Sequence, residues 1–365
     1  MKIVKAGQPY IIQSNPDGKH KYFGWPTVAR LKNGVIAVGS SGNRLRHVCP
    51  FGKAELSFSY DEGRTFTRPT PVIDTPLDDR DCGLTPFGKD GLIVTSFNNT
   101  VAFQRSVLKM INKNDDYIKA YLDTVTPEDE AEYLASEYVI SHDNGATFGR
   151  IKKSPVTSPH GPCETCDGRV IYVGRRYPTH DDRPDGDVIE CAEMDENGDF
   201  RVIGTVPSIF VGEKKAMSCE PDTICLPDGT LICHIRVQSY SGIDLGLFTV
   251  YQTESTDGGV TWSTPRQLLG DKGGSPAHLM LHSSGVLISV YGYREAPYGI
   301  RAAVSRDNGK TWQTDLEVLS EAASPDLGYP SSVELSDGSV LTVYYVRTEK
   351  DSPAIVMGQI WSLTE

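Results

Sequence analysis

The chain has no uninterrupted run of about 18 apolar residues, so no membrane-spanning helix and no membrane partner are expected. Positive charge is scarce: 36 Lys and Arg face 48 Asp and Glu, for a formal net charge of −12 at pH 7. That balance argues against nucleic acid as a partner, because phosphate backbones are bound through a basic footprint. The eight cysteines, Cys49, Cys82, Cys163, Cys166, Cys191, Cys219, Cys225 and Cys233, lack the spacing of a small disulfide scaffold, which favours a reducing compartment. Cys163 and Cys166 form a Cys-x-x-Cys pair, but no second pair follows at finger-like spacing, so buried thiols are expected and no metal site. The first 26 residues contain no continuous apolar stretch of the signal-peptide kind, which favours a cytoplasmic location over secretion. What remains is an ordinary globular composition, 38% hydrophobic and 23% charged. At 365 residues it exceeds one usual core, so it is either two domains or one large repetitive one.

Repeats choose between these. The octets "SYDEGRTF" (59–66), "SHDNGATF" (141–148), "STDGGVTW" (255–262) and "SRDNGKTW" (305–312) share the pattern S-x-D-x-G-x-T-aromatic. Asp caps backbone amides in a tight turn and Gly supplies a positive φ there, while the aromatic packs against the sheet. A fifth, degraded copy reads "DENGDF" (195–200). A second repeat consists of a proline, an apolar strand, a Gly-containing turn and another apolar strand. Its six prolines are Pro26, Pro86, Pro162, Pro221, Pro276 and Pro330. Units of this length with hairpin signals predict an all-β fold, a six-bladed β-propeller over residues 1–365 with four strands per blade. The last unit lacks an octet, so the N-terminal "VKAGQPYII" is expected to supply its outer strand and close the ring, leaving no open sheet edge. Residues 101–135 are an excess within blade two. Thr126 and Pro127 mark a helix start there, and the partly helical insertion is expected over the channel mouth, with Phe103 and Arg105 near a ligand.

In such a blade the first strand begins, and the second ends, on one face. That face collects Trp25, Arg44, Arg46 and His47 from blade one, Asp79, Arg80 and Asp81 from blade two, and His160 and Arg175 from blade three. Blade four adds Glu220 and Arg236, blade five Arg294, and blade six Asp326, Tyr329, Tyr344 and Tyr345. Independent units thus deliver titratable groups to one surface, which is the pattern of a site.

The octets are Asp-box repeats, and the chain resembles the sialidase superfamily over essentially its whole length. The resemblance implies that the boxes are structural and lie away from substrate. It also implies that Tyr329, in "DLGYPSSVELSDG", is a nucleophile, Glu220, in "EPDTICLPDGTLICHIR", its base, and Arg236 and Arg294 carboxylate-binding arginines. A phenol suits a substrate whose anomeric carbon bears a carboxylate, because a carboxylate nucleophile would repel it, and a phenol needs a nearby base at neutral pH. Three features depart from that family. Gly24, Trp25 and Pro26 stand where an Arg-Ile-Pro stretch is usual, "SSGNRLRHVCPFGKAE" contains no aspartate to serve as acid/base, and no glutamate supports the first arginine near the end of blade six. Asp81, Asp79 and His47 are the candidates for the acid, with Asp81 preferred. Trp25, Arg44, Arg46, His160, Arg175 and Tyr344 complete the expected substrate surface. The expected activity is exo-acting hydrolysis of a terminal acidic sugar without a cofactor. The alternatives are a lyase acting on uronic-acid glycans and a non-catalytic glycan-binding propeller. The sequence gives no reading of oligomeric state.

Overall fold

The computed structural model describes residues 1–110, 115–178, 187–240 and 242–365. Its second strands are short apolar runs buried on both faces, such as Ile36–Val38, Leu92–Val94 and Leu231–Ile235. A strand without a polar face has to be covered on both sides, and here each sheet is covered by its two neighbours.

Among the described residues, six antiparallel blade sheets result, besides a two-stranded hairpin of Phe210–Val211 and Lys214–Lys215. Blade one is Tyr22–Arg30, Ile36–Arg44, Lys53–Ser59 and Thr70–Ile73; blade two is Arg80–Phe87, Gly91–Phe97, Ser136–Ser141 and Lys152–Ser154. Blade three has a split first strand, Val156–Thr157 and Cys163–Glu164, then Val170–Arg176, Ile189–Met194 and Phe200–Thr205. Blade four is Met217–Cys225, Leu231–Tyr240, Ile243–Ser255 and Arg266–Gln267; blade five is Ala277–Leu281, Leu287–Tyr293, Gly299–Ser305 and Gln313–Leu319. Blade six runs Gly328–Glu334, Val340–Arg347 and Ala354–Thr364, and the chain's start completes it. Lys2–Lys5 pairs with Trp361–Thr364, and Tyr10–Gln13 pairs with the same strand nearer its beginning. The ring closes through hydrogen bonds between the two ends of the chain. First strands of neighbouring blades touch, so they line the axis.

Apolar layers between blades hold the ring. Phe23, Val28 and Val38 of blade one pack on Leu341, Val343 and Val356 of blade six, and Ala37 and Leu56 on Leu84 and Val94 of blade two. Ile171 and Cys191 of blade three meet Cys233 and Ile235 of blade four, and Ile288 and Val304 of blade five meet Tyr344 and Trp361 of blade six. Burying such side chains contributes about 1.5–3 kcal/mol each relative to exposure.

The four Asp boxes sit in the turns between third and fourth strands. In each, the aspartate accepts from the backbone N–H and the hydroxyl of the threonine four residues on, as Asp257 does from Thr261 at 2.9 and 2.5 Å. The leading serine accepts from the glycine N–H, as Ser255 does from Gly259 at 2.9 Å. That glycine is fixed by space as well as by φ. At Gly259, φ +96°, an added Cβ would lie 2.5 Å from Cys191 Sγ of blade three. The closing Trp262 and Trp312 donate their indole N–H back to the carbonyls of Gly259 and Gly309 at 3.0 and 3.1 Å. Each box therefore seals the outer end of its blade against the preceding one.

Between the second and third strands of blade two lie three helices, α1 (Val101–Met110), α2 (Asp116–Leu122) and α3 (Pro127–Tyr133). Thr126 caps α3 through a reciprocal pair with Asp129. Leu108, Ile118 and Leu122 pack on Leu45 and Phe51 of blade one.

Threonine hydroxyl and N–H donors hold the carboxylates of Asp61, Asp143, Asp257 and Asp307 down to about 2, against an ordinary 3.8. A depressed native pKa contributes stability that is present above the unfolded value and lost as pH falls through the native one. Asp257→Asn is expected to lower the melting temperature at pH 7, with the gap to the parent narrowing between pH 4 and pH 2. A gap that stays constant across that range in thermal melts would contradict this account.

Candidate active site

Four of the residues that face the mouth share one unusual backbone state. Trp25, Asp81, Glu220 and Tyr329 have φ of +53, +61, +48 and +47°, and each lies where the first strand of its blade slips register against the second. Such left-handed residues cost roughly 1–2 kcal/mol each when they carry a Cβ. Non-glycine strain of this kind persists only where the surroundings enforce it and clusters at functional sites. In blades one, four and six a proline follows the bulged residue; in blade two Cys82 does. Pro86 instead pairs opposite Leu92 near the hairpin turn, so it is not the counterpart of Pro26 that the proline spacing suggested. Blade three places Gly161, φ +87°, before its proline.

The bulges bring Glu220 and Tyr329 together from opposite parts of the chain. Tyr329 Oη donates to Glu220 Oε1 at 2.5 Å, and Arg236 Nη1 donates to Glu220 Oε2 at 2.5 Å and to Tyr329 Oη at 3.2 Å. Gln238 Oε1 holds Arg236 Nε at 2.8 Å, and Phe248 lies under the guanidinium at 4.9 Å. Arg294 donates to the Leu327 carbonyl at 3.0 Å and to Tyr345 Oη at 3.3 Å, and its guanidinium carbon lies 5.8 Å from the centre of the Tyr329 ring. Burial raises the Tyr329 phenol well above its usual value and the Glu220 charge adds to this, while Arg236 opposes it. At neutral pH the phenol is protonated and hydrogen-bonded to its carboxylate.

Asp81, Glu220, Arg236, Arg175 and Arg80 line a cavity of about 570 Å³ between blades two, three and four, together with Asn98, Phe103 and Tyr177. Burial, followed by the nearby Glu220 charge, raises the Asp81 carboxyl to about 7. It can therefore hold a proton near neutrality, as a general acid must. Arg175 reaches the cavity from blade three with Nε on Asp187 at 2.7 Å, and Asp187 also accepts from Tyr240 and the Ser218 N–H at 2.6 and 2.9 Å. Tyr329 adjoins this cavity through its hydrogen bonds to Glu220 and Arg236, and Arg294 lies next to the Tyr329 ring.

Gly24 occupies the position that the superfamily pattern assigns to an arginine, and Trp25 follows it at the position of the isoleucine. Trp25 is 1% exposed and packs among Tyr22, Tyr329, Tyr345 and His47. It also carries two guanidinium groups on its ring, Arg44 at 4.8 Å and Arg80 at 4.2 Å. Arg44 is wholly buried on Asp78 at 2.6 Å, so it supports Trp25 and is not itself exposed to a ligand. Arg80 is the one of the two that reaches the cavity. His47 packs edge-on against Trp25, with Nδ1 on Asp326 at 3.1 Å and on Tyr22 Oη at 2.9 Å, and does not line the cavity.

Other expected site residues are placed elsewhere. Arg46 pairs with Asp115 at 3.0 Å, tying α2 to blade one. His160 lies in the axial channel, edge-on to His278 at 5.0 Å and bonded to Thr27 Oγ1 at 3.1 Å. Burial lowers the pKa of both rings, that of His278 to about 3, so they are neutral and suit no anion. Tyr344 turns into the apolar layer between blades five and six, and its neighbour Tyr345 is the one that meets Arg294. Asp79 caps the turn at Thr75, accepting at 2.6 and 2.7 Å. Phe103 lines the cavity, whereas Arg105 pairs with Asp123 at 2.6 Å on the insertion itself. Tyr345, expected on this face beside Tyr344, is thus the one that reaches the site, whereas Asp187 was not singled out from the sequence. Asp187 precedes the third strand of blade three, Ile189–Met194, whereas the blade pattern points only to the starts of first strands and the ends of second ones.

Removing one partner of a fully buried ion pair leaves an uncompensated charge, at a cost of about 3–5 kcal/mol. Asp78→Asn, which strands Arg44, is therefore expected to lower unfolding stability by that amount in urea. A change under about 1 kcal/mol would mean that Arg44 does not depend on Asp78.

Residues 97–342 match the BNR repeat-like domain family. No curated sequence matches the chain. Among solved structures, the chain is similar to a Dyadobacter fermentans protein of unknown function, at 20% identity and TM-score 0.77 over 99% of both chains. It is also similar to Trypanosoma rangeli sialidase in complex with the inhibitor DANA, at 13% identity and TM-score 0.60 over 98% of this chain and 58% of that one. The intramolecular trans-sialidase from Ruminococcus gnavus, in complex with oseltamivir carboxylate, is similar at 14% identity and TM-score 0.59 over 97% of both chains. The chain belongs to the BNR repeat-like domain family and folds as a six-bladed, sialidase-like β-propeller.

Proposed function

We propose that this propeller is an exo-acting glycoside hydrolase that removes a terminal acidic sugar from a glycan. The observation that carries the reading is the Tyr329–Glu220 hydrogen bond of 2.5 Å, held by Arg236, beside a cavity that also presents Asp81. In the first step Tyr329 Oη attacks the anomeric carbon and passes its proton to Glu220. Asp81 gives its proton to the departing glycosidic oxygen, and a glycosyl-tyrosine forms. In the second step Asp81, now a carboxylate, takes a proton from water as that water attacks the anomeric carbon. Tyr329 leaves and recovers its proton from Glu220.

The acidic substrate follows from charge. Arg236, Arg80 and Arg175 line the cavity, so a sugar carboxylate meets planar bidentate donors. The phenol brings no charge of its own against that carboxylate. A cavity of about 570 Å³ is of the size usual for small-ligand sites and suits a sugar ring with part of its leaving group. The other reading is removal of a proton beside a uronic-acid carboxylate by Tyr329; His47, held on Asp326 at 3.1 Å, lies outside the cavity lining.

Purified protein assayed on sialosides and on uronic-acid glycans separates these readings, because a lyase releases an ultraviolet-absorbing unsaturated sugar and a hydrolase releases none. Tyr329→Phe is expected to lower kcat/KM on the hydrolysed substrate by about 10³-fold or more. Unchanged turnover would remove Tyr329 as nucleophile. Asp81→Asn is expected to cost about 10²–10⁴-fold on glycosides with poor leaving groups and far less on activated aryl glycosides. Because the Asp81 carboxyl is raised to about 7, the parent's kcat/KM should fall as pH rises through about 7, and the variant should lack that limb. Equal losses on both substrate types would exclude Asp81 as the acid.

A further inference from the structure

Five of the eight cysteines gather around the boundary between blades three and four. Cys191 and Cys233 are buried in the apolar layer there, with Cys163 and Cys225 packed against it. Cys166 stands beside them on the turn after the first strand of blade three and is exposed. Its sulfur lies 3.4 Å from that of Cys225, at the end of the first strand of blade four, and its backbone N–H points at the same sulfur, also at 3.4 Å. The Cys166 thiol donates to the Leu226 carbonyl at 3.0 Å. These contacts lie at the far end of blade four's first strand from Glu220, on the side of the ring away from the cavity.

We propose that Cys166 and Cys225 are an oxidative cross-linking site that staples blade three to blade four, with a small-molecule disulfide of the glutathione class as oxidant. The Cys166 thiolate attacks one sulfur of that disulfide and expels the other half as a thiolate. The Cys225 thiolate then attacks the Cys166 sulfur and expels the second half. Two protein thiols are oxidised, one small disulfide is reduced, and the two thiol protons pass to the two departing thiolates. Exposure fixes the order: Cys166 meets solvent, whereas burial raises the Cys225 thiol to about 11 and keeps it from reacting first. The sulfurs need only approach from van der Waals contact to a bond of about 2.05 Å, and Cys166 sits on a turn that can supply the shift. The cross-link closes a 59-residue loop, which constrains the unfolded chain more than the folded one.

The test uses the full chain, exposed to oxidised glutathione and then digested without reduction for mass spectrometry. The expected product is a Cys166–Cys225 linked peptide lighter by two hydrogens, reversed by dithiothreitol, with a melting temperature raised by a few degrees. Cys166→Ser and Cys225→Ala should each abolish both effects, and Cys163→Ser should leave them intact. A glutathione adduct on Cys166 that never resolves, a bridge through Cys163, or no bridge would each overturn the proposal. None of these outcomes bears on the hydrolytic reading, because the pair lies outside the cavity.

Discussion

The strands at Lys2–Lys5 and Tyr10–Gln13 hydrogen-bond to Ala354–Thr364, and that pairing holds blade six against blade one. Every feature of the mouth depends on it. Trp25 comes from blade one and Tyr329 from blade six, and their rings meet at 6.4 Å only because the ring is closed. Closure also leaves each blade's apolar faces covered on both sides, so the doubly buried second strands have no exposed face to lose. A propeller opened at this seam would expose Leu341 and Val343 and would separate Tyr329 from the aromatic cluster that packs around it.

Within the closed ring, the left-handed bulge acts as a repeated device for presentation. A regular strand alternates its side chains toward the two neighbouring blades and sends none along the axis. One residue at φ near +50° breaks that alternation and turns a side chain toward the mouth. The same local geometry serves different chemistry in four blades: an indole that carries arginines, a carboxyl with a raised pKa, a carboxylate on an arginine, and a phenol. The strain at each bulge is offset by the sheet around it, while the Asp boxes at the other end keep those sheets in place. Structure and candidate chemistry are thus separated along each blade.

The departures from the superfamily pattern acquire a physical shape in the fold. Gly24 leaves no charge where an arginine is usual, yet the ring of the next residue, Trp25, supports Arg80, which delivers a guanidinium to the cavity from the next blade. Blade one's loop offers no aspartate, and Asp81 of blade two stands in the cavity instead, where burial and Glu220 raise its pKa. The helices α1 to α3 add Phe103 to the cavity wall and bind blade one through Asp115 and Arg46.

The sequence by itself determined the periodic features. Turn chemistry is local, so the four boxes, the degraded "DENGDF", the Thr126 cap and the apolar hairpins were legible without coordinates, and six such units imply a ring. The same logic brought Glu220, Arg236 and Tyr329 to one end, because strand polarity fixes which residues leave each blade together. Only the tertiary structure decided which neighbour of a pair turns inward. Tyr344 and Tyr345 are both buried in a strand packed on two sides, and only the identity of the blade on each side separates a core residue from one that meets Arg294. The same holds for Arg44 and Arg80, and for His160, whose partner His278 is 118 residues away. Their roles depend on contacts between blades, and no local pattern records those.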